Sequence, residues 1–193
     1  KYNKDLWVGS NTDSYLCPNY IDSKGKDLLS RMASIIQVDE KKVRSLQNRS
    51  AGAQWVITQP GSQYWYKVYC DCVKLYKFFN NVELAYVNKY RKLDDKYVPI
   101  QKWTAEMWSQ LWNLIYFNID IMISPELDFC WATDDIKRWD TTKIYHNAGV
   151  TAKMPDLFFK GVWVNRSPFD VDFSYVNKNK CSWKYVQALQ AVR

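Results

Sequence analysis

Stretches that read as β-strands alternate along this chain with stretches of helical periodicity, and this alternation constrains the fold more than any other feature. Residues 5–10 and 51–59 have strand character, whereas apolar residues recur at helical spacing over 27–44 and 63–79. Strands that alternate with helices favour an α/β protein over an all-α or all-β one. We therefore expect an α/β fold, a mixed sheet with flanking helices.

The helix predicted over 63–79 is amphipathic. One stripe carries apolar and aromatic side chains and another side carries lysines and an aspartate. The apolar stripe consists of Trp65, Tyr69, Cys72, Val73 and Tyr76, and the polar side of Lys67, Asp71, Lys74 and Lys77. The following segment, 80–101, is charged, tyrosine-rich and weakly periodic, which predicts an exposed excursion or flap.

The second half of the chain continues the alternation. The predicted elements are a helix over 103–118 capped by Thr104, strands over 119–124 and 141–146, and a terminal helix over 181–192. At 193 residues the chain has the length of one ordinary domain, so a single domain over 1–193 is expected. The tryptophans at 103, 108 and 112 recur near one helical face, which favours core packing over ligand binding.

Composition bears on partners and on compartment. Aromatic residues make up 17% of the chain and the formal net charge is +7, so rings are available for sugars or bases and an anionic partner is favoured. The lysines are scattered, however, and solvated faces explain most of them. The five cysteines include one CxC at 70–72 without the second pair of a zinc site, which favours reduced thiols and a cytoplasmic location.

Two polar residues directly follow the first predicted strand. Asn11 and Asp13 lie two positions apart and could offer hard oxygen ligands to Mg²⁺ or Mn²⁺. The competing interpretation is an Asx turn, in which such side chains bond their own backbone.

The only histidine of the chain, His146, ends the strand predicted over 141–146. A neutral imidazole is a good metal ligand, and Asn147 and Gly149 after it would let backbone N–H groups approach a phosphate. Farther on, Lys160 followed by Gly161 could neutralise a diphosphate. The alternative for His146 is a structural histidine hydrogen-bonded to a carbonyl.

These motifs together resemble the metal-dependent glycosyltransferases of the GT-A fold. Asn11-Thr12-Asp13 is similar to their DxD motif with Asn in the first acidic place, and "HNAGV" (146–150) with "FFKG" (158–161) resembles C-terminal elements of glycogenin-like members. The resemblance implies that His146 completes a metal site with Asn11 and Asp13. It also implies that Lys160, Gly161, Asn147 and Gly149 contact the nucleotide diphosphate.

The acceptor side is also similar to that of these enzymes. Residues 50–57 resemble a small-residue strand beside the acceptor, and "WTAEMW" (103–108) resembles the helix start that presents an acid to it, which implies Glu106 as the catalytic base. Asp134 and Asp135 are the reserve candidates. The N-terminal strand-helix units that hold the nucleotide base are not seen here, so either they precede Lys1 in a longer protein or the resemblance is misleading.

The predicted function is therefore transfer of a sugar from a nucleotide-sugar donor to a saccharide or other hydroxyl acceptor, dependent on Mn²⁺ or Mg²⁺. Neither nucleic acid as a partner nor a transmembrane segment is expected. The alternatives are a non-catalytic carbohydrate- or nucleic-acid-binding module, and a structural protein that makes subunit contacts through 80–101. A wide separation of Asn11, Asp13 and His146 would exclude the metal site.

Overall fold

The chain divides into two compact units, one over 1–124 and one over 125–193. The computed structural model describes residues 2–3, 15–47, 55–123 and 125–192. Helices and short strands occur in both units, which confirms the expectation of a mixed α and β protein. A single domain over 1–193 stays a prediction.

Unit 1, residues 1–124, is mostly helical in its described part. Its helices are α1 (Pro18–Lys24), α2 (Leu28–Ile36), α3 (Glu40–Arg44), α4 (Gly61–Tyr90) and α5 (Ala105–Tyr116). Its strands are β1 (Tyr2–Asn3), β2 (Trp55–Val56) and β3 (Met122–Ile123). They form a mixed sheet in the order β2-β1-β3, in which β1 runs antiparallel to β2 and parallel to β3.

The helix predicted over 27–44 is divided into α2 and α3. Gln37 adopts the left-handed conformation with φ of 64°, and the N–H of Val38 donates to the carbonyl of Ala33 at 3.0 Å. This is a Schellman ending, which closes a helix by satisfying its last carbonyls. Asp39 then starts α3, because its carboxylate accepts a hydrogen bond from the N–H of Lys41 at 2.8 Å.

Helix α4 confirms the helix predicted over 63–79 and continues to Tyr90, so the prediction of a flap over 80–101 is wrong for its first half. The helix continues because Phe79 and Tyr86 extend its buried face in the same period. The second half of the segment 80–101 is also fixed to the rest of unit 1. Tyr97 is buried, and its hydroxyl donates to the carbonyl of Lys24 at 2.7 Å.

The face that α4 buries differs from the predicted apolar stripe. Its buried residues are Tyr64, Asp71, Leu75, Phe79 and Tyr86. Trp65, Tyr69 and Tyr76 of the predicted stripe remain exposed.

Asp71 is fully buried on this face because its carboxylate is completely partnered. It accepts from the ammonium groups of Lys67 at 2.5 Å and Lys74 at 3.2 Å, and from the amide of Asn113 on α5 at 3.1 Å. A buried carboxylate is tolerated when it is paired and hydrogen-bonded in this way.

A 3₁₀ turn over Lys102–Thr104 leads into α5, which confirms the predicted helix. Thr104 precedes α5 but does not cap it through its side chain, because the hydroxyl donates backwards to the carbonyl of Gln101 at 2.6 Å. Trp108 and Trp112 are fully buried in the core of unit 1, as expected, whereas Trp103 is exposed.

Unit 2, residues 125–193, contains a two-stranded parallel sheet and two helices. The elements are β4 (Phe129–Trp131), α6 (Lys137–Thr141), β5 (Ile144–His146) and α7 (Cys181–Ala191), which confirms the predicted strand and helix at β5 and α7. Phe158, Phe173, Val176 and Val186 form its buried cluster. No helix in the described parts of either unit is both long and apolar enough to cross a bilayer.

Candidate functional site

In unit 2, the register of the parallel sheet places His146 directly beside Trp131. β4 and β5 pair so that these two residues are opposite each other. The imidazole ring centre lies 4.7 Å from that of Trp131 in an edge-to-face arrangement, and 5.0 Å from that of Phe129. His146 is therefore held at the end of a strand by two aromatic rings, because paired residues on neighbouring strands share one face of the sheet.

The pKa of His146 is lowered from its ordinary value near 6.5. Burial against the rings is the larger cause, and the positive charge of Lys160 is the second. The imidazole is consequently neutral at physiological pH, which is the form that binds metal ions. The same effect shows that Lys160, predicted as a diphosphate contact, lies close enough to His146 to influence its charge.

The turn after His146 is tight. The N–H of Ala148 donates to the carbonyl of His146 at 2.8 Å, and Gly149 has a φ of 80°. A left-handed φ favours glycine. A side chain at 149 would also lie 3.7 Å from the indole of Trp131. Gly149 thus lies beside Trp131, and contact of Asn147 and Gly149 with a phosphate stays a prediction.

Gly161 has a packing role, and its contact with a diphosphate stays a prediction. A Cβ at this position would lie 2.4 Å from the ring of Phe159, so any other residue would displace that ring. Lys160 and Gly161 are both exposed at the start of a 3₁₀ turn over Lys160–Trp163. The close approach of backbone to ring accounts for glycine here without a ligand.

Asp134 and Asp135, the reserve catalytic candidates, both make local structural hydrogen bonds. The carboxylate of Asp134 accepts from the N–H of Trp131 at 2.8 Å, and that of Asp135 accepts from the N–H of Lys137 at 3.0 Å. The first closes the turn after β4 and the second starts α6. A catalytic role for either residue stays a prediction.

Asn11, Asp13 and most of the predicted acceptor strand over 50–57 lie outside the described residues. Among the residues that the structure describes, no group of three or more His, Cys, Asp or Glu side chains is arranged to hold a metal ion. His146 is the one predicted ligand that the structure places, so the metal set of Asn11, Asp13 and His146 stays a prediction.

Unit 1 contains a groove of about 280 Å³ at the start of α5, and Glu106 lines it. The walls include the side chains of Cys72, Tyr76, Lys77, Lys102, Trp103 and Glu106. A concave site that combines aromatic rings with a few charged groups is typical of ligand binding. Glu106, the predicted catalytic acid, thus lines a groove whose accessible wall surface is almost entirely apolar.

The charges in the groove are unequally partnered. Lys102 forms an ion pair with Glu83 at 2.8 Å, whereas Glu106 makes no hydrogen bond or ion pair with any residue that the structure describes. Burial raises the pKa of the Cys72 thiol, and the negative charge of Glu106 raises it further. Cys72 is therefore a neutral wall residue, since the thiolate is the reactive form.

No protein-family model, curated protein or solved structure matches this chain. A functional assignment therefore rests on the geometry of the two sites.

Sequence reasoning missed the participation of Tyr76, Lys77 and Lys102 in the groove. The groove is built from α4 and the 3₁₀ turn before α5, which are distant in the sequence, so local periodicity gives no signal for it. Helical spacing predicts core packing for Trp103 together with Trp108 and Trp112. That prediction is wrong for Trp103, because it belongs to the 3₁₀ turn that precedes α5.

Proposed function

We propose that this chain is part or all of a GT-A-like glycosyltransferase that moves a sugar from a nucleotide-sugar donor to a hydroxyl of a saccharide or other acceptor. The proposal includes dependence on Mn²⁺ or Mg²⁺. Its support comes from the described residues of unit 2 for the donor and of unit 1 for the acceptor, each taken by itself.

The observation that carries the proposal is the sheet register that places His146 beside Trp131 and the Gly149 turn, together with the positive charge of Lys160, which lowers the pKa of His146. A neutral nitrogen ligand and an ammonium group suit the two halves of a metal-diphosphate complex. The lysine alone would repel a cation, so metal is expected to bind together with the diphosphate, whose negative charge offsets both positive groups.

Each residue then has a physical role. His146, with Asn11 and Asp13, would hold the metal ion, which supplies charge stabilisation to the diphosphate leaving group when bound. Lys160 places a second positive charge beside the diphosphate. Trp131 fixes the orientation of the imidazole, and Gly149 supplies the left-handed φ of the turn after it.

Glu106 is the proposed general base for the acceptor hydroxyl. It lies in the first turn of α5, at the positive end of the helix dipole. The lack of a partner among the described residues leaves its oxygens available to an acceptor. Asp134 and Asp135 are kept as reserve candidates only.

A cytoplasmic location is part of the proposal. None of the five cysteines, at positions 17, 70, 72, 130 and 181, forms a disulfide, which fits a reducing compartment.

A non-catalytic carbohydrate-binding module is the second candidate, and the exposed rings of unit 1 favour it. The two candidates differ in their response to metal. A binding module would take up saccharide without nucleotide or Mn²⁺ and would transfer no sugar.

Calorimetric titration of the full natural chain with UDP- and GDP-sugars, with and without Mn²⁺, tests the proposed function. We expect metal-dependent binding of at least one of them, and a loss of at least about tenfold in affinity for Lys160→Ala, since a charge-assisted contact is worth about 1.5–3 kcal/mol. Lys137→Ala, an exposed lysine of the same unit, is the matched control. Binding of none of these nucleotides with Mn²⁺ present would overturn the proposal.

A further inference from the structure

Three exposed rings follow one side of α4. Trp65, Tyr69 and Tyr76 are 46%, 67% and 45% exposed, and their spacings of four and seven residues match the helical period. Eleven residues of helix extend roughly 16 Å at 1.5 Å per residue. We call these three residues and Trp103, which is 58% exposed, the aromatic stripe.

Two of these rings are held in place by neighbouring side chains. Trp65 packs edge-to-face on Tyr64 with ring centres 5.0 Å apart, and the buried Tyr64 hydroxyl donates to the carbonyl of Gln110 at 2.8 Å. The indole N–H of Trp103 donates to the Gln101 side chain at 3.0 Å. Because these rings are already oriented, a ligand that stacks on them loses little ordering entropy.

The aromatic stripe leads into the groove that contains Glu106. Tyr76 and Trp103 belong both to the stripe and to the walls of the groove. Trp65 and Tyr69 lie on the preceding turns of α4, outside those walls. A ligand placed in the groove can therefore continue along the helix over the remaining rings.

We propose that the aromatic stripe binds a neutral oligosaccharide chain, whose end lies in the groove at Glu106 and whose remaining sugars stack on Tyr69 and Trp65. This inference deepens the proposed function and rests on it for the acceptor role, because it names a glycan of several sugars as the acceptor. Apolar sugar faces stack on aromatic rings, while tyrosine hydroxyls and the Glu106 carboxylate bind sugar hydroxyls.

The charge of the groove favours a neutral ligand over a nucleic acid. Its walls carry one lysine, Lys77, and one glutamate, Glu106, besides Lys102, which is paired with Glu83, so the charges of the groove balance. A phosphate backbone requires several uncompensated positive charges along its path, and this groove does not supply them.

The size of the stripe disfavours a second copy of the chain as the occupant. A surface one ring wide and roughly 16 Å long is far smaller than the area of about 800 Å² that each partner contributes to a stable interface. A linear chain of sugars has the same narrow and extended shape as the stripe. We therefore assign the stripe to an oligosaccharide.

The test is calorimetric titration of the full chain with malto-, cello- and manno-oligosaccharides of one to six units, without nucleotide or metal. In at least one series, we expect affinity to rise about tenfold or more between one and four units, as additional rings are engaged. Trp65→Ala and Tyr69→Ala should each lower the affinity for the four-unit oligosaccharide about three- to tenfold. Both variants should bind the single sugar with unchanged affinity.

Tyr66→Ala is the matched control, because Tyr66 is 72% exposed on the same helix but faces another side. It should leave all affinities unchanged. The proposal is overturned by lack of binding in all three series, by affinity that does not rise with length, or by an equal loss in Tyr66→Ala. Preferential salt-dependent binding of single-stranded DNA, or a dimer that Trp65→Ala dissociates, would overturn it as well.

The two proposals fail separately. If the chain binds nucleotide-sugars with Mn²⁺ but binds no oligosaccharide, the proposed role of the aromatic stripe is wrong and the proposed glycosyltransferase activity stands. If it binds oligosaccharides with an affinity that rises with their length but binds no nucleotide-sugar, the transferase proposal is wrong and a carbohydrate-binding surface remains.

Discussion

At the scale of single residues, the neighbours of His146 determine the charge state of its imidazole. Its two ring neighbours, Phe129 and Trp131, remove water from the imidazole, and Lys160 adds a like charge. Both effects disfavour the protonated form. A metal ligand and a structural histidine would each be neutral here, so charge alone does not distinguish them.

The lowered pKa predicts a specific pH dependence of stability. Because the unfolded chain takes up a proton near pH 6.5 and the folded chain only at lower pH, His146 destabilises the fold progressively as pH falls through 6.5. Above that range it has no such effect. We expect His146→Gln to lose less unfolding free energy than the natural chain between pH 7.5 and pH 5.

NMR titration measures the cause directly, since the chain contains only one histidine and a sample without a histidine tag gives one imidazole signal. The midpoint should lie below 6.5 and rise in Lys160→Met, which removes the neighbouring charge. A midpoint at or above 6.5 in the natural chain would show that the ring is not desolvated as described.

At the scale of elements, the ends of two helices have the same hydrogen-bonding pattern with different residues. α2 ends on left-handed Gln37 and α5 is followed by left-handed Asn118, with φ values of 64° and 51°. In both cases the next N–H bonds back five residues, from Val38 to Ala33 and from Ile119 to Leu114. Glycine is the usual residue at this position, and asparagine is tolerated better than glutamine.

Gln37→Gly should therefore stabilise the protein, whereas Asn118→Gly should change it less. We expect a gain of about 0.5–1 kcal/mol for Gln37→Gly, because the strain of a left-handed side chain is relieved. Urea unfolding of both variants measures the difference. A loss of stability in Gln37→Gly would mean that the glutamine side chain makes a contribution larger than its backbone strain.

At the scale of the whole molecule, each unit has a buried cluster of its own. That of unit 1 lies among α1 to α5, and that of unit 2 is built around Phe158, which packs on Trp163, Phe173 and Tyr185. Cooperative units of unfolding commonly coincide with separately packed parts of a chain. Stability is therefore expected to differ between α4 and α7.

Phe158→Ala should destabilise unit 2 selectively, by about 3–5 kcal/mol for a fully buried ring. Hydrogen exchange read by mass spectrometry should show lower protection over α7 and unchanged protection over α4. Phe169→Ala, an exposed phenylalanine of the same unit, is the control and should change neither helix. Equal losses in α4 and α7 would show that both clusters unfold together.

The sequence alone determined where the long helices and the short strand at β5 lie, because backbone periodicity and turn residues act over neighbouring positions. It also indicated Glu106, His146 and Lys160 as candidate catalytic, metal-binding and diphosphate-binding residues. It did not determine that α4 continues to Tyr90, since a weakly periodic tyrosine-rich segment becomes helical only when Phe79 and Tyr86 find a buried face.

Only the tertiary structure decided which face of α4 is buried. Asp71 reads as a surface residue until Lys67 and Asn113 surround it, and Trp65 and Tyr69 read as core residues until the packing of α5 leaves them outside. The neighbours that decide burial come from distant parts of the chain. Periodicity fixes which residues share a side of a helix, but only packing chooses the side that meets the core.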